Sequence, residues 1–411
     1  MTNAIDLFRQ EKNYLRLFLA GIVNGIGDRF SQVALFALLL KLTGSGLAVG
    51  IALAVRVVPF LLFAPLGGFL ADRFSRKNIL IITDLARIAF AVSFVFVNHT
   101  SDIWVVYLST FVLAAGEAIY APARKSFIPL LVKKENLIKI NSLEQVMLGA
   151  VLVAGSFSGG LVASFFGPDM TFWLNGLSFF IAAMIIASIP FVNQNRPIRK
   201  NDEKNEDSNF SHSTKTVKTL MRTSGALYIA FLFELIVPLF NGIDNVLISI
   251  YAVQEFHLGD VGVGLFYGAL GIGLMLSFTI AQRIRQRLLL MGLATLILEG
   301  VFLMILSRVH LASIAFVIYI SISFVSGICN TCFDSVVMKE TPRDHQGLVF
   351  GLLVTLSNTL IGISMFGAGL LLEIVDNRIL GLIGGMGFVF TGVLLFVVYS
   401  SIKEKKLSTF L

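Results

Sequence analysis

Residues 46–80 read GLAVGIALAVRVVPFLLFAPLGGFLADRFSRKNIL. From 46 to 70 the run holds one charge, Arg56, and it ends on Asp72, Arg73, Arg76 and Lys77 before a second apolar run begins at Ile79. An α-helix needs ~20 mostly apolar residues to cross the hydrocarbon core of a bilayer. The stretch is long enough for one crossing, and a charged turn separates it from the next.

The rest of the 411-residue chain has the same character, with 56% hydrophobic residues, 14% charged residues and a mean hydropathy of +0.84. Soluble domains hold about 45–50% apolar and about 25% charged residues, so an ordinary globular enzyme is excluded. Apolar runs between charged or Gly/Pro-rich breaks give twelve expected spans: 15–40, 46–70, 79–97, 103–123, 141–165, 171–192, 225–252, 261–281, 288–306, 314–338, 348–372 and 379–400. Between the sixth and seventh lies NQNRPIRKNDEKNEDSNFSHSTKTVKT, too polar to fold and read as a linker. The expected organisation is a six-helix bundle over 1–192, a cytoplasmic linker over 193–222 and a second six-helix bundle over 223–411. The polar first fourteen residues and the length of the first apolar run argue against a cleavable signal.

Charge placement gives the orientation. Of 32 lysines and arginines, 26 fall in the N-terminal segment, the linker, the C-terminal segment and the loops after spans two, four, eight and ten. The opposite loops hold only Lys41, Arg308 and Arg378, and Arg29, Arg56 and Arg87 lie within spans. By the positive-inside rule both termini and the linker are cytoplasmic. The net charge of +7 is therefore a topology signal rather than a nucleic-acid footprint.

Six spans, a linker and six spans suggest a duplication. LADRFSRKNIL at 70–80 pairs with IAQRIRQRLLL at 280–290, Asn24-Gly25-Ile26 with Asn241-Gly242-Ile243, and Gly116 with Gly327, at nearly constant offset and on corresponding helices. Parallel six-helix repeats about an axis normal to the membrane are the layout of a rocking-bundle transporter, with its site near the midplane between the halves.

Gly68-Phe-Leu-Ala-Asp72-Arg73-Phe-Ser-Arg76-Lys77 resembles the signature loop of the major facilitator superfamily, with Ser75 where a second glycine is usual. Gly27-Asp28, Pro122-Ala123-Arg124 with Pro129, Asn141-Ser142-Leu143, and Pro342 with Gly347 extend the resemblance to its macrolide-efflux-like, drug:proton antiporter branch. The resemblance implies an all-α membrane fold of twelve helices. It also implies that Gly68, Asp72, Arg73, Arg76 and Lys77 form a cytoplasmic gate that stabilises the outward-facing state. Gln282 stands at the position matching Asp72, so any such latch is asymmetric. In span five, Gly155 and Gly159 share a helical face that lets another helix approach closely. With Gly160 they resemble the family's antiporter motif, although Ser156 stands where a proline is usual.

Ionisable side chains at membrane depth are costly and by default mark a functional path. Here they are Asp28, Arg29, Arg56, Arg87, Glu117, Glu234, Asp244, Glu299 and Asp334. Adjacent helical positions point ~100° apart, so Asp28 and Arg29 need different partners. A carboxyl group in a dry cavity keeps its proton more readily than in water, and a nearby cation loosens it. Asp28 is the leading candidate for proton and substrate coupling, followed by Glu117 and Asp244, with Arg29, Arg87 and Glu234 as further candidates. A static Glu117–Arg87 pair is the structural alternative, and Glu299 is expected to pack. Trp104 and Tyr107 read as interfacial anchors. Cys329 and Cys332 form a lone pair without the four ligands a zinc site wants, so no metal is expected.

The combined expectation is a proton-coupled exporter of amphipathic small molecules, not an enzyme. It is expected to work as a monomer in a bacterial-type cytoplasmic membrane, with the proton gradient in place of any cofactor. A lysolipid or lipid flippase, a siderophore exporter and a non-transporting membrane sensor are the rival readings.

Overall fold

The computed structural model describes residues 4–43, 46–190 and 219–408. Its long helices are α1 (Lys12–Thr43), α2 (Gly46–Arg73), α3 (Arg76–Ser93), α4 (Ile103–Leu131), α5 (Leu137–Phe166), α6 (Pro168–Ala187), α7 (Gly225–Ile250), α8 (Gly259–Ala281), α9 (Leu288–Leu306), α10 (Ala312–Glu340), α11 (Gln346–Leu371) and α12 (Asn377–Ser408). Each expected span finds its helix, and no strand occurs among the described residues. Eleven of these helices are long and apolar enough to cross a membrane, which makes the chain a multi-pass membrane protein. A short helix, Ala4–Gln10, precedes α1 and buries Leu7. Residues 193–218 of the expected linker lie outside the described residues.

One span boundary is corrected. The fourth helix was expected to stop at 123, near Pro122, but α4 runs through both Pro122 and Pro129 to Leu131. Neighbouring helices can re-satisfy the carbonyls that an intramembrane proline frees. Arg124 and Lys125, counted above to a cytoplasmic loop, therefore stand inside a helix.

The two halves pack alike. In the first, α1 lies on α5 and α6, α2 on α4, and α3 on α4 and α6; in the second, α7 lies on α11 and α12, α8 on α10, and α9 on α10 and α12. Two matched seams join the halves, α2 against α11 and α5 against α8. The hydrophobic effect does little between helices in lipid, so close approach over small residues has to hold such seams. A Cβ on Gly68 would stand 2.4 Å from the carbonyl oxygen of Gly347, and one on Gly149 would stand 2.3 Å from that of Gly271. The repeated Asn-Gly-Ile tripeptides also do matched work. Gly25 seats α1 against Val151 of α5, and Gly242 seats α7 against Ser364 of α11.

Candidate functional site

Among the described residues, Arg87 of α3 gathers the most ion pairs. Its guanidinium meets Asp28 of α1 at 2.8 Å, Glu117 of α4 at 3.1 Å and Asp84, one turn back on α3, at 3.8 Å. Asn24 donates to Asp84 at 2.8 Å, and the Phe179 ring of α6 lies 4.1 Å from Arg87 Cζ. Arg87 is buried to 2% exposure, so three carboxyls share one cation that water hardly reaches. Gly116 makes room for it, because a Cβ there would fall 2.7 Å from Arg87 Cγ. A cavity of about 40 Å³ opens beside the cluster, lined by Asp28, Gln32, Arg56, Arg87 and Glu117 among others. At about 10–15 Å³ per water centre it has room for roughly three waters.

Glu117 also lines a second, larger cavity of about 470 Å³ between the halves. Its polar wall includes Arg124, Lys125, Glu144, Glu234 and Asp334, and its apolar wall includes Leu148, Phe233, Val237 and Phe333. Arg124 pairs with Glu144, which also accepts a hydrogen bond from the Tyr14 hydroxyl at 2.7 Å. Lys125 crosses to the other half and meets Asp334 at 2.9 Å. These two residues are 209 apart, close to the repeat offset, so the pair joins corresponding points of α4 and α10 near the pseudo-twofold axis. Beside it, Asn141 Nδ2 donates to Ser335 Oγ at 2.9 Å.

The charged loop after α2 reaches the second half at the same end. Asp72 accepts backbone N–H bonds from Gly347 at 2.8 Å and Leu348 at 2.7 Å, in the first turn of α11. A carboxylate there meets unsatisfied amides and the positive end of the helix dipole. Arg76 is buried and holds Asp72 at 3.3 Å while donating to the Arg343 carbonyl at 2.9 Å. Lys77 turns back into its own half and donates to the carbonyls of Ala187 and Ile189. Arg73 is exposed. Ser75 has φ −63° and caps α3 by accepting from the Asn78 amide, so no glycine is required where the family usually places one.

The remaining candidates lie apart from the Arg87 cluster. Arg29 passes over Gly155, whose absent side chain leaves it space, and donates to Gln32 at 3.4 Å. Gly159 and Gly160 belong to α5, but their surroundings lie outside the described residues. Asp244 faces a small pocket in the second half with Phe240, Leu247, Tyr251 and Phe388, and Glu234 lines the central cavity. Glu299 is buried in α9. The structure thus brings Asp28, Arg87 and Glu117 together, puts Glu234 on the wall of the central cavity that Glu117 also lines, and leaves Arg29 and Asp244 elsewhere.

Sequence reading missed Asp84, Lys125 and Glu144, and it took Arg124 only as part of the Pro122-Ala123-Arg124 motif, not as a cavity residue. Asp84 is three residues before Arg87, a spacing that shares one helical face and gave a usable signal. The expected end of the fourth span at 123 left Arg124 and Lys125 in the following loop.

The family model described as Major Facilitator Superfamily matches residues 17–365. The chain belongs to the major facilitator superfamily. Among its superfamily relatives, the uncharacterized MFS-type transporter YfiS of Bacillus subtilis is 22% identical over 395 residues, covering 94% of this chain and 93% of its own. Macrolide efflux protein A of Streptococcus pyogenes is 27% identical over 169 residues, 41% of this chain and 42% of its own. The multidrug efflux pump Tap of Mycobacterium tuberculosis is 26% identical over 304 residues, 69% and 71%. In fold, the human organic anion transporter MFSD10 superposes with a TM-score of 0.76 at 15% identity, over 92% of this chain and 99% of that one. Superfamily members of this kind are transporters and not enzymes, which agrees with the expectation from composition.

Proposed function

We propose that the chain is a proton-coupled exporter of amphipathic small molecules that works by alternating access in a bacterial cell membrane, with both termini cytoplasmic. The observation that carries the coupling is the place of Glu117, which touches Arg87 at 3.1 Å and also lines the cavity between the halves. Three carboxyls around one guanidinium leave surplus negative charge that a proton reduces. A proton taken up by this cluster loosens one of the contacts to Arg87, and Glu117 transmits that change to the cavity where the substrate sits. The mixed wall of that cavity suits a molecule with one apolar and one polar face. Likeness to macrolide efflux protein A and to Tap supports export as the direction.

In this reading Asp72 and Arg76 form the latch that shuts the cytoplasmic end, with Lys77 bracing the loop against its own half and Gly68 letting α2 and α11 meet. The Lys125–Asp334 pair forms a second barrier. Rocking of the halves breaks both as the cytoplasmic side opens.

The test uses purified protein in liposomes with an imposed proton gradient and a panel of amphipathic dyes and drugs. Gradient-driven transport is expected for the wild type and is expected to be lost in Asp28→Asn and Glu117→Gln. Coupled transport that survives Asp28→Asn at wild-type abundance would overturn the assignment. Transport without gradient dependence would instead favour a lipid flippase or a uniporter.

A further inference from the structure

A third cavity, of about 530 Å³, lies between the halves on the face that carries the positive loops, and is distinct from the central cavity. Its first-half wall is Pro129, Lys134 and Leu137, from the end of α4 and the start of α5. Its second-half wall runs from Met338 to Arg343 and includes Gln346, from the end of α10 and the start of α11. Its size falls within the ~300–1,000 Å³ of small-molecule sites.

The charges are one-sided. Lys134, Lys339 and Arg343 face the cavity against a single acid, Glu340, and Glu340 is engaged by the Ser224 hydroxyl at 2.8 Å. None of the three cations makes an ion pair among the described residues, although each is exposed at the mouth.

The floor carries the second, independent observation. Gln346 is 1% exposed, and its Nε2 donates to the carbonyls of Met338 at 3.1 Å and Thr341 at 3.3 Å. Those two bonds fix which way the amide faces, because a flipped amide would set oxygen against oxygen. Gln346 Oε1 is left with no donor, and the hydroxyl of Thr341, 4% exposed, is also without a partner. Buried polar atoms are nearly always hydrogen-bonded, so two orphans on one cavity wall ask for an occupant. An anion answers the three cations, and a hydroxyl donor on the same molecule answers Gln346 Oε1.

We infer that this cavity binds a phosphate ester carrying free hydroxyl groups, of the glycerol phosphate type. The phosphate sits among Lys134, Lys339 and Arg343, and a hydroxyl donates to Gln346 Oε1. Because its walls come from both halves, the bound ester holds this end of the transporter shut. The same chemistry occurs in a soluble ester and in a phosphatidylglycerol headgroup, and the experiment separates them.

Purified full-length protein is reconstituted in phosphatidylcholine nanodiscs, and its thermal unfolding is followed while glycerol 3-phosphate is added. A parallel sample holds phosphatidylglycerol in the nanodisc and no soluble ester. A saturable rise in unfolding temperature in the first sample identifies the soluble source, and a rise confined to the second identifies the lipid. In either case the Lys134→Gln/Lys339→Gln double variant is expected to weaken binding about tenfold or more, the loss of charge-assisted hydrogen bonds. Thr341→Val tests the floor, and Lys133→Gln, next to the cavity but not lining it, is expected to keep the full response. The inference is overturned by no rise in either sample, by an equal rise in the double variant, or by an equal rise with inorganic sulfate. Binding is read here without any transport, so its failure and that of the exporter reading are separate results.

Discussion

At the scale of single residues, Arg87 is the side chain on which most depends. Among the described residues it is the one cation paired with Asp28, Asp84 and Glu117, and it is buried. Removing one partner of a buried charged network leaves the others uncompensated, which costs about 3–5 kcal/mol. Arg87→Ala is therefore expected to lower stability by about that much, read as thermal or denaturant unfolding in detergent. Adding Glu117→Gln to the same chain is expected to restore part of the loss, because it removes one of the stranded charges. Arg87→Ala as stable as wild type would mean that the cluster is already neutralised by other means. Gly116→Ala acts on the same residue by shape alone, since its Cβ would fall 2.7 Å from Arg87 Cγ and 2.8 Å from Cδ. It is expected to displace the guanidinium and cut transport while leaving every charge in place, measured as flux per molecule in liposomes. The members of this cluster were legible one by one, because acids and bases at membrane depth stand out in an apolar sequence. That Asp28 turns to Arg87 while its neighbour Arg29 turns to Gln32 was not legible, since it depends on the rotation of each helix about its own axis.

At the scale of elements, the loops that close corresponding helix pairs differ between the halves. In the first half Ser75 joins α2 to α3 in an extended conformation that any residue adopts. In the second half Arg287 precedes α9 with φ 55°, in the left-handed region. A side chain there strains the backbone by about 1–2 kcal/mol, which glycine avoids at the cost of a more flexible unfolded chain. Arg287→Gly is expected to stabilise the protein by up to about 1 kcal/mol, seen as a rise in unfolding temperature. A fall instead would show that the Arg287 side chain makes a contact worth more than the strain. The positions of the helices were legible from hydropathy because each crossing is long and nearly free of charge. Their ends were less so: prolines at 122 and 129 read as breaks in a soluble-helix grammar, yet α4 continues through both. The partial repeat between LADRFSRKNIL and IAQRIRQRLLL announced the symmetry of the halves but not the lengthened second loop.

At the scale of the whole molecule, the polar contacts described between the halves gather at one end, at Asp72 with Gly347 and Leu348, Arg76 with Arg343, Lys125 with Asp334, and Asn141 with Ser335. Bonds that exist in one conformation and not in the other set the balance between the two, and a ligand or substitution shifts that balance only by such differences. Asp72 is the natural place to measure this, because both of its oxygens accept backbone amides from the facing half. Hydrogen bonds to a charged group contribute about 1.5–3 kcal/mol each, and 1.4 kcal/mol is a factor of ten in an equilibrium. Asp72→Ala is thus expected to move the closed-to-open ratio at this end by about tenfold or more. Spin labels at Asn78 and Asp344, exposed on the two halves, would report it as growth of a longer-distance population in liposomes. Asp72→Asn keeps one oxygen acceptor but loses the charge, so it is expected to fall between wild type and Asp72→Ala. Gly68→Val attacks the same closure sterically, 2.4 Å from a backbone oxygen that has little room to retreat, and is expected to open this end without touching a single charge. Should the carboxylate and glycine variants both leave the distances unchanged, the two seams and the Lys125–Asp334 pair would suffice to hold the end shut, and the loop after α2 would serve topology rather than gating.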